Sequence, residues 1–271
     1  MKPLLLALAL SLPGMALGGL PEVSAPYTRE KPSLSAAWGE HAWGQAGVIA
    51  KLTPSTGSDP SLTPQPTEVR LLWDEANLYI RFVCEGKEIA ATLSGRDTEY
   101  HREEAVEVFL DPAGDGRAYI ELQVSPNNGV RDVLYLCTAE PRYDENGRFL
   151  PEILKRDCWA FDSWNLEGLQ TATGRFSEGG KEGWIAEIAI PATILRRLGE
   201  SRFKPMQLRA NFIRLEHPLR PAGATGEPVQ RGFLSSNWSP ILQGNPHRSP
   251  GANGIVHLKA DAPTSMQPVK P

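Results

Sequence analysis

Apolar and polar residues alternate along most of the chain from Glu68 to Glu216, the pattern of half-buried β-strands. In EVRLLW, Val69, Leu71 and Trp73 share one face, and after the turn DEAN the segment NLYIRFVCE repeats the pattern. These two segments predict a β-hairpin. Further alternating segments are AVEVFL, AYIELQVS, VRDVLYLC, SWNLEGLQTAT, GWIAEIAI and QLRANFIRLE, at residues 105–110, 118–125, 130–137, 163–173, 183–190 and 207–216.

About eight short strands separated by turns predict an all-β fold, an antiparallel β-sandwich of jelly-roll-like form. The segment PATILRRLG begins with Pro and ends with Gly, so we expect at most one short helix, near residues 191–199. We expect one domain over residues 36–260. A flexible segment, 19–35, precedes it, and a loose Pro-containing tail, 261–271, follows it.

The first 18 residues have the pattern of a secretory signal peptide. Lys2 is followed by an apolar run, residues 4–12, and by the small-residue sequence Ala-Leu-Gly at residues 16–18. The apolar run is too short to span a bilayer. We therefore expect cleavage near Gly18 and Gly19, and a mature protein that is secreted or periplasmic.

Composition narrows the classes of function. The chain has 271 residues, is 41% hydrophobic and carries a formal net charge of −4. It can therefore form a sizeable core, and it lacks the excess of Lys and Arg that a nucleic-acid partner requires. Cys137 and Cys158 bracket a long polar stretch that a disulfide could close, whereas Cys84 alternates with apolar residues and is expected in the core.

Glu107 is a carboxylate at the centre of an apolar strand. Val106 and Val108 face one side, and Glu107 faces the other with Phe109. The strand at 118–125 has a matching polar side, formed by Tyr119, Glu121, Gln123 and Ser125. If the two strands pair, the polar residues form one sheet face. That face is either an ordinary solvated surface or a surface that receives hydroxyl groups.

The ordered segments LLWDEANLYIRFVC, RDTEYHREEAVEVFLDP, YIELQVSP, WNLEGLQTAT, GWIAEIAIP, RANFIRLE and SSNWSP resemble the family 9-like carbohydrate-binding modules. The resemblance extends from about residue 36 to residue 258. It implies a β-sandwich that binds sugars without catalysis, often within secreted systems that degrade polysaccharides, and a separate glycan-degrading enzyme as a possible partner.

The resemblance also implies a sugar site, here with several substitutions. The family's strand Glu corresponds to Glu107, and its Arg and Asn correspond to Gln123 and Ser125. The two Trp residues that sandwich a sugar in the family correspond to Tyr100 or His101 and to the loop that contains His247. Tyr100 could still act as a stacking platform. The carbohydrate-binding candidates are Tyr100, His101, Glu107, Gln123, Ser125, Asn211, Arg214 and His247.

A calcium site is a further candidate. Asp111 and Asp115 lie in the Gly-rich turn DPAGDGRAY, and carboxylates at this spacing can hold Ca²⁺ together with backbone carbonyls. The family often carries structural calcium. Asp-Gly turns also form without any metal.

The sequence therefore predicts an exported, non-catalytic carbohydrate-binding protein. Two alternatives stay open. One is a secreted glycoside hydrolase that uses Glu107 with a second carboxylate such as Glu121. The other is an envelope interaction protein that has lost sugar binding.

Overall fold

The computed structural model describes residues 19–55, 58–138, 158–217, 219–220, 229–230, 234–241, 245–248 and 250–260. The predicted signal peptide, residues 1–18, and the predicted tail, residues 261–271, lie outside the described residues. Within the described residues, no helix is both long and apolar enough to cross a membrane.

The described chain is dominated by β-strands. They are β1 Glu22–Pro26, β2 Gly47–Ile49, β3 Thr53–Pro54, β4 Thr67–Trp73, β5 Asn77–Glu85, β6 Ala105–Asp111, β7 Ala118–Val124, β8 Val130–Cys137, β9 Cys158–Phe161, β10 Gln170–Glu178, β11 Lys181–Pro191, β12 Met206–Glu216, β13 Leu219–Arg220, β14 Val229–Gln230, β15 Leu234–Asn237 and β16 Gly254–Lys259. Short 3₁₀ helices lie at His41–Gln45, Tyr100–Arg102, Ala192–Leu198, Pro246–Arg248 and Pro250–Ala252.

Two sheets form the sandwich. The nine-stranded sheet has the order β1-β16-β12-β6-β7-β8-β9, with β15 paired to β12 and β3 paired to β15. The five-stranded sheet has the order β10-β11-β5-β4-β2. All of these pairs are antiparallel except β1 with β16. The predicted antiparallel sandwich is confirmed.

The core fills the space between the two sheets. Alternate residues of β6 and β7, such as Val108 and Leu122, meet Ile80 of β5 and Trp184 of β11 in one cluster. Burial of these apolar side chains is the main contribution to the stability of such a fold. Trp73, which the alternation also assigns to an apolar face, lies in the same cluster. The outer side of β6 is therefore the side that carries Glu107.

The five-stranded sheet has a cover on its outer face. Trp43 packs there with Leu72, Tyr79 and Ala189, and Ala36 packs with Phe176 and Ile185. The segment 34–46 thus forms a third layer over that sheet. This layer buries part of the outer face of the second sheet.

The cysteines follow the expectation from their positions. Cys137 and Cys158 form a disulfide that joins the end of β8 to the start of β9. Cys84 is free and fully buried, and burial raises the pKa of its thiol to about 12. It therefore behaves as a small apolar core residue.

The structure differs from the sequence prediction in three local details. The segment 19–35, expected to be flexible, contains β1, whose Val23 and Ala25 are buried against the core. Tertiary pairing with β16 overrides its Pro- and Ser-containing composition. Residues 163–169 form turns, and the strand begins at Gln170. The helix near 191–199 is present as the 3₁₀ helix Ala192–Leu198, with Gly199 in the left-handed conformation after it.

Candidate functional site

The outer face of the nine-stranded sheet carries a polar cluster at its centre. The strand register sets Glu107 of β6 directly opposite Gln123 of β7, and Gln123 opposite Arg131 of β8. On the other side of β6, Ile213 of β12 lies opposite Glu107. Paired residues in a sheet point to the same face. Side chains from four neighbouring strands, β12, β6, β7 and β8, therefore lie in one patch.

This patch forms the floor of a depression of about 430 Å³. Apolar side chains, including Phe109, Ile213 and Leu215, surround the polar cluster. The wall is completed by His101 from the segment before β6 and by Asn245, Pro246 and His247 from the segment before β16. An apolar concavity with a few polar groups on its floor is the usual form of a small-ligand site.

The polar floor is far more buried than an ordinary solvated sheet face. Glu107 and Glu121 are each 5% exposed, and Gln123 is 1% exposed. Buried carboxylates are costly unless they are hydrogen-bonded. The interpretation of this face as a simple wet surface is therefore wrong.

Gln123 joins the two carboxylates. Its Nε2 donates to Oε1 of Glu107 at 2.9 Å and to Oε1 of Glu121 at 2.7 Å. Oε1 of Gln123 is buried and has no hydrogen-bond partner among the described residues. A buried acceptor without a donor costs free energy, so this atom can gain from a ligand hydroxyl or a water molecule.

The two carboxyl groups differ in their ionisation. Burial, reinforced by the nearby charge of Glu121, raises the pKa of Glu107 to about 8. Burial also acts against the ionisation of Glu121, but contacts with His247, Tyr135 and Arg131 outweigh it and lower the pKa of that carboxyl. At neutral pH the floor therefore holds one neutral acid and one carboxylate.

An aromatic cluster stands beside Glu121. The rings of Tyr119 and Tyr135 stack with their centroids 5.0 Å apart, and the His247 ring lies 4.5 Å from that of Tyr135. The Tyr135 hydroxyl donates to Oε2 of Glu121 at 3.0 Å, and Nε2 of His247 lies 3.4 Å from the same oxygen. Tyr135 and His247 line the depression. They supply ring surfaces next to the hydrogen-bonding floor.

Four of the sequence candidates meet in this depression, namely His101, Glu107, Gln123 and His247. The predicted contact between β6 and β7 is the reason that Glu107 and Gln123 are together. His101 and His247 come from segments far apart in sequence, and only the fold brings them to the same wall.

Tyr100 and Ser125 are elsewhere, contrary to the prediction. The Tyr100 ring is fully buried, and its hydroxyl donates to the carbonyl of Gly95 at 2.7 Å. The ring packs so closely on Gly129 that a Cβ at that position would clash with it. Ser125 accepts the amide hydrogen of Gly129. Both residues hold the turn after β7, so Tyr100 cannot act as a stacking platform.

Asn211 and Arg214 are also engaged elsewhere. Asn211 is on the same face as Glu107, but its amide donates to the carbonyl of Ser239 and accepts from the Ser239 amide. Arg214 lies opposite Val106, on the inner side of the sheet. Its guanidinium contacts Glu104 at 2.7 Å and is 1% exposed. Both side chains are therefore held by contacts within the protein and do not line the depression.

The turn at Asp111 and Asp115 gives no support to the calcium candidate. Asp111 is buried and accepts the backbone N–H groups of Ala113, Gly114 and Gly116. These hydrogen bonds give Asp111 a role in the turn that requires no metal. Asp115 accepts the amide hydrogen of Arg117. In the described part of the chain, no three acidic, His or Cys residues lie together as a metal-binding group.

Three further residues that line the depression, Phe109, Arg131 and Tyr135, were not among the binding candidates from the sequence. The alternation in VRDVLYLC contains the signal for two of them, since Arg131 and Tyr135 fall on the same side of β8 as Val133. Phe109 lies on the Glu107 face, where it packs against His247.

Residues 36–126 match the model of the family described as carbohydrate family 9 binding domain-like. This stretch of the chain is therefore similar to the family 9-like carbohydrate-binding domains. The matched stretch includes β2 to β7 and therefore carries Glu107 and Gln123 of the depression. The resemblance seen in the sequence is confirmed.

Solved structures share the fold of this chain over most of its length. A family 9 carbohydrate-binding module from Caldicellulosiruptor kristjanssonii, in complex with cellotriose, is 15% identical, with a TM-score of 0.54 over 93% of this chain and 100% of that chain. The same kind of module from that organism in complex with glucose is 15% identical, with a TM-score of 0.52 over 91% and 100%.

A third structure extends the likeness. A Bacteroides uniformis protein of proposed carbohydrate-binding function is 13% identical, with a TM-score of 0.57 over 89% of this chain and 100% of that chain. At such low identity the likeness establishes the fold. No curated protein matches the sequence.

Proposed function

We propose that this protein binds a saccharide, without chemical change, in the depression over Glu107. The observation that carries the proposal is the Glu107–Gln123–Glu121 group. It is almost fully buried, lies at the floor of an open depression and has a buried acceptor, Oε1 of Gln123, without a partner in the described residues. A sugar hydroxyl both donates and accepts, so it can satisfy such a group.

The surroundings of this group also suit a sugar ring. A pyranose has hydroxyl edges and an apolar C–H face, which packs well on an aromatic ring. Tyr135 and His247 supply ring surface beside Glu121. The solved modules bound to cellotriose and glucose have the same fold, which supports the choice of saccharide as the ligand class.

A glycoside hydrolase remains the second candidate, because the two carboxyl groups have pKa values displaced in opposite directions. Such a division is typical of an acid and a nucleophile or base. The position of Gln123 argues against it. Its amide nitrogen bridges Glu107 and Glu121 directly, and so occupies the space where a glycosidic oxygen would have to lie.

Export and a role in polysaccharide breakdown are part of the proposal. The charged, apolar and small-residue pattern of residues 1–18 supports export. The disulfide Cys137–Cys158 agrees with an oxidising compartment. A binding domain of this kind would hold a separate glycan-degrading enzyme close to its polymer.

Calorimetric titration of the mature protein with glucose and with cellotriose tests the proposal. We expect binding of the wild type and at least about tenfold weaker binding after Glu107→Ala, equal to about 1.4 kcal/mol. His247→Ala should also weaken binding, since His247 is a half-buried wall residue whose loss leaves the core intact.

His257→Ala is the matched control. His257 is also half-buried, but it pairs with Glu22 at the β1 edge of the sheet, away from the depression. Its substitution should leave the titration unchanged. Equal affinity in all three variants and the wild type, or no heat from either sugar with the wild type, would disprove the proposal. Release of glucose from cellotriose would favour the hydrolase.

A further inference from the structure

A second depression lies on the opposite side of the sandwich, over the outer face of the five-stranded sheet. Its volume is about 480 Å³, within the range of small-molecule sites. One wall is the covering segment, with Trp38, Glu40 and Trp43. The other wall consists of outward-facing residues of β4 and β5, among them Arg70 and Arg81.

Two buried polar atoms at this depression have no hydrogen-bond partner among the described residues. They are the indole nitrogen Nε1 of Trp43 and Oε2 of Glu40. Trp43 is 1% exposed. Oε2 of Glu40 lies 3.9 Å from the Arg81 guanidinium, and the Glu40 side chain also interacts with that of Glu187. One of the two unpartnered atoms is a donor and the other an acceptor, and a ligand hydroxyl can serve as partner to either kind.

An exposed aromatic ring borders these two atoms. Trp38 is 44% exposed and stacks with one face on Phe176, with a centroid separation of 4.6 Å. The stacking fixes the orientation of the indole ring. Trp38 therefore presents an apolar ring face in a fixed orientation at the mouth of the depression.

Other atoms of Glu40 and Arg81 form hydrogen bonds that hold this wall in place. Oε1 of Glu40 accepts from the backbone and side chain of Ser33, at 2.7 and 2.8 Å. Arg81 donates to the carboxylate of Glu187 and to the carbonyl of Ala37. The covering segment is thus anchored to the sheet by groups other than the two unpartnered atoms.

The charges at the rim favour a neutral ligand. Glu68 pairs with Arg70 at 2.5 Å, and Glu85 pairs with Lys181 at 2.5 Å. Because these charges are matched at the rim itself, the depression offers little net attraction to an ion. A neutral molecule with hydroxyl groups and an apolar face suits both the rim and the Trp38 ring.

We propose that this depression is a second saccharide site, in which Trp38 packs on the sugar ring, Trp43 donates to a hydroxyl and Glu40 accepts from one. The site shares no residue with the depression over Glu107, so neither proposal depends on the other. Two such sites on opposite faces would let one molecule contact two saccharide chains.

Nuclear magnetic resonance of the ¹⁵N-labelled protein tests the second site. The indole N–H of Trp43 should shift on addition of cellotriose, in the wild type and also in Glu107→Ala, whose first depression is impaired. In that Glu107→Ala background, Trp38→Ala should weaken the response at least about fivefold, whereas Trp38→Phe should keep most of it. Glu40→Gln should weaken it as well.

Trp159→Ala is the matched control, since Trp159 is 52% exposed on the edge strand β9 and lies outside this depression. This substitution should leave the response of the Trp43 resonance to cellotriose unchanged. Melting temperatures of the variants show whether each is folded. A Trp43 resonance that stays fixed up to the solubility limit of cellotriose, or one that responds equally in Trp38→Ala, overturns the second site. Failure of the first site alone would appear as identical calorimetric titrations of wild type and Glu107→Ala, together with a Trp43 resonance that still shifts.

Discussion

At the residue scale, Glu107 shows how a mid-strand carboxylate can be tolerated in an apolar strand. The strand is buried on both faces, and Gln123 supplies the one hydrogen bond donated to the carboxyl group by a described side chain. The group responds by holding its proton to a pKa of about 8, chiefly because of its burial. Burial of a carboxyl group in a hydrogen-bonding site makes its ionisation less favourable in this way.

This ionisation predicts how stability changes with pH. The folded protein keeps the Glu107 proton up to a pKa of about 8, whereas the unfolded chain releases it near the ordinary value for Glu. Folding therefore takes up a proton between these two pH values, and Glu107 makes the free energy of unfolding fall as pH rises through this window. The slope is at most about 1.4 kcal/mol per pH unit.

Glu107→Gln should remove that dependence. The difference in free energy of unfolding, variant minus wild type, should rise from pH 5 to about pH 8 and then level off. Urea denaturation at a series of pH values measures it. Glu88→Gln is the control, since Glu88 is exposed, and its difference should stay flat. A flat difference for Glu107→Gln would contradict the assigned ionisation.

Residue identity alone located only part of the site. Glu107 and Gln123 could be placed on one face because alternation in a strand is local. The roles of Tyr100 and Ser125 could not be seen, since both depend on the turn near Gly129. For Arg214, the sequence does contain a pattern that indicates an inward-facing side chain. Arg214 alternates with Ala210 and Phe212, which both face the core.

At the element scale, the turn between β6 and β7 is built around one carboxylate. Asp111 accepts three backbone N–H groups, at 3.1, 2.9 and 2.6 Å. Gly114 and Gly116 both have positive φ angles, of 74° and 67°, which residues with a Cβ seldom adopt. The Gly-rich sequence that suggested a metal loop is therefore explained by the turn itself.

Asp111→Ala should lower the free energy of unfolding by about 1 to 3 kcal/mol, because buried amide hydrogens lose their acceptor. Asp115→Ala is the matched control. Asp115 accepts one N–H, that of the exposed residue Arg117, so its loss should cost under about 1 kcal/mol. Denaturant titration compares the two.

Calcium should have no effect on this element. The melting temperature of the wild type should be the same with excess Ca²⁺ and with a chelator. A melting temperature that rises with Ca²⁺ in the wild type but not in Asp111→Ala would contradict this expectation.

Alternation and turn chemistry predicted the strands β4 to β8, β11 and β12 near their observed bounds. The strands of two to six residues were missed because such short segments hold little periodic signal.

At the scale of the whole molecule, a buried ionic group links the two sheets. Arg214 of β12 contacts Glu104 and also donates to the Glu85 carbonyl at 2.8 Å and to Thr67 at 3.1 Å. Glu104 also accepts from the Trp184 indole at 3.0 Å. The group therefore ties the nine-stranded sheet to β4, β5 and β11.

Removing one member should be costly. Arg214→Met leaves Glu104 without its cation, and loss of one partner of a buried pair typically costs about 3 to 5 kcal/mol. The double variant Arg214→Met with Glu104→Leu should be more stable than Arg214→Met alone, because the Glu104 carboxylate is then no longer buried without its cation. Glu216, 3.8 Å from Arg214, stays buried in both variants. Denaturant unfolding of the wild type, both single variants and the double variant checks this. Equal stability of Arg214→Met and the wild type would contradict it.

The sequence by itself determined the β-sandwich, its main strands, the core face of each and the polar side of β6 and β7. These features follow from an alternation of period two and from turn residues, both of which act locally. The tertiary structure decided which polar residues share a site. His247 reaches Glu121 across more than a hundred residues, and Trp43 covers a sheet that lies later in the chain. Contacts of this kind depend on loop paths and sheet order, which no short-range pattern encodes.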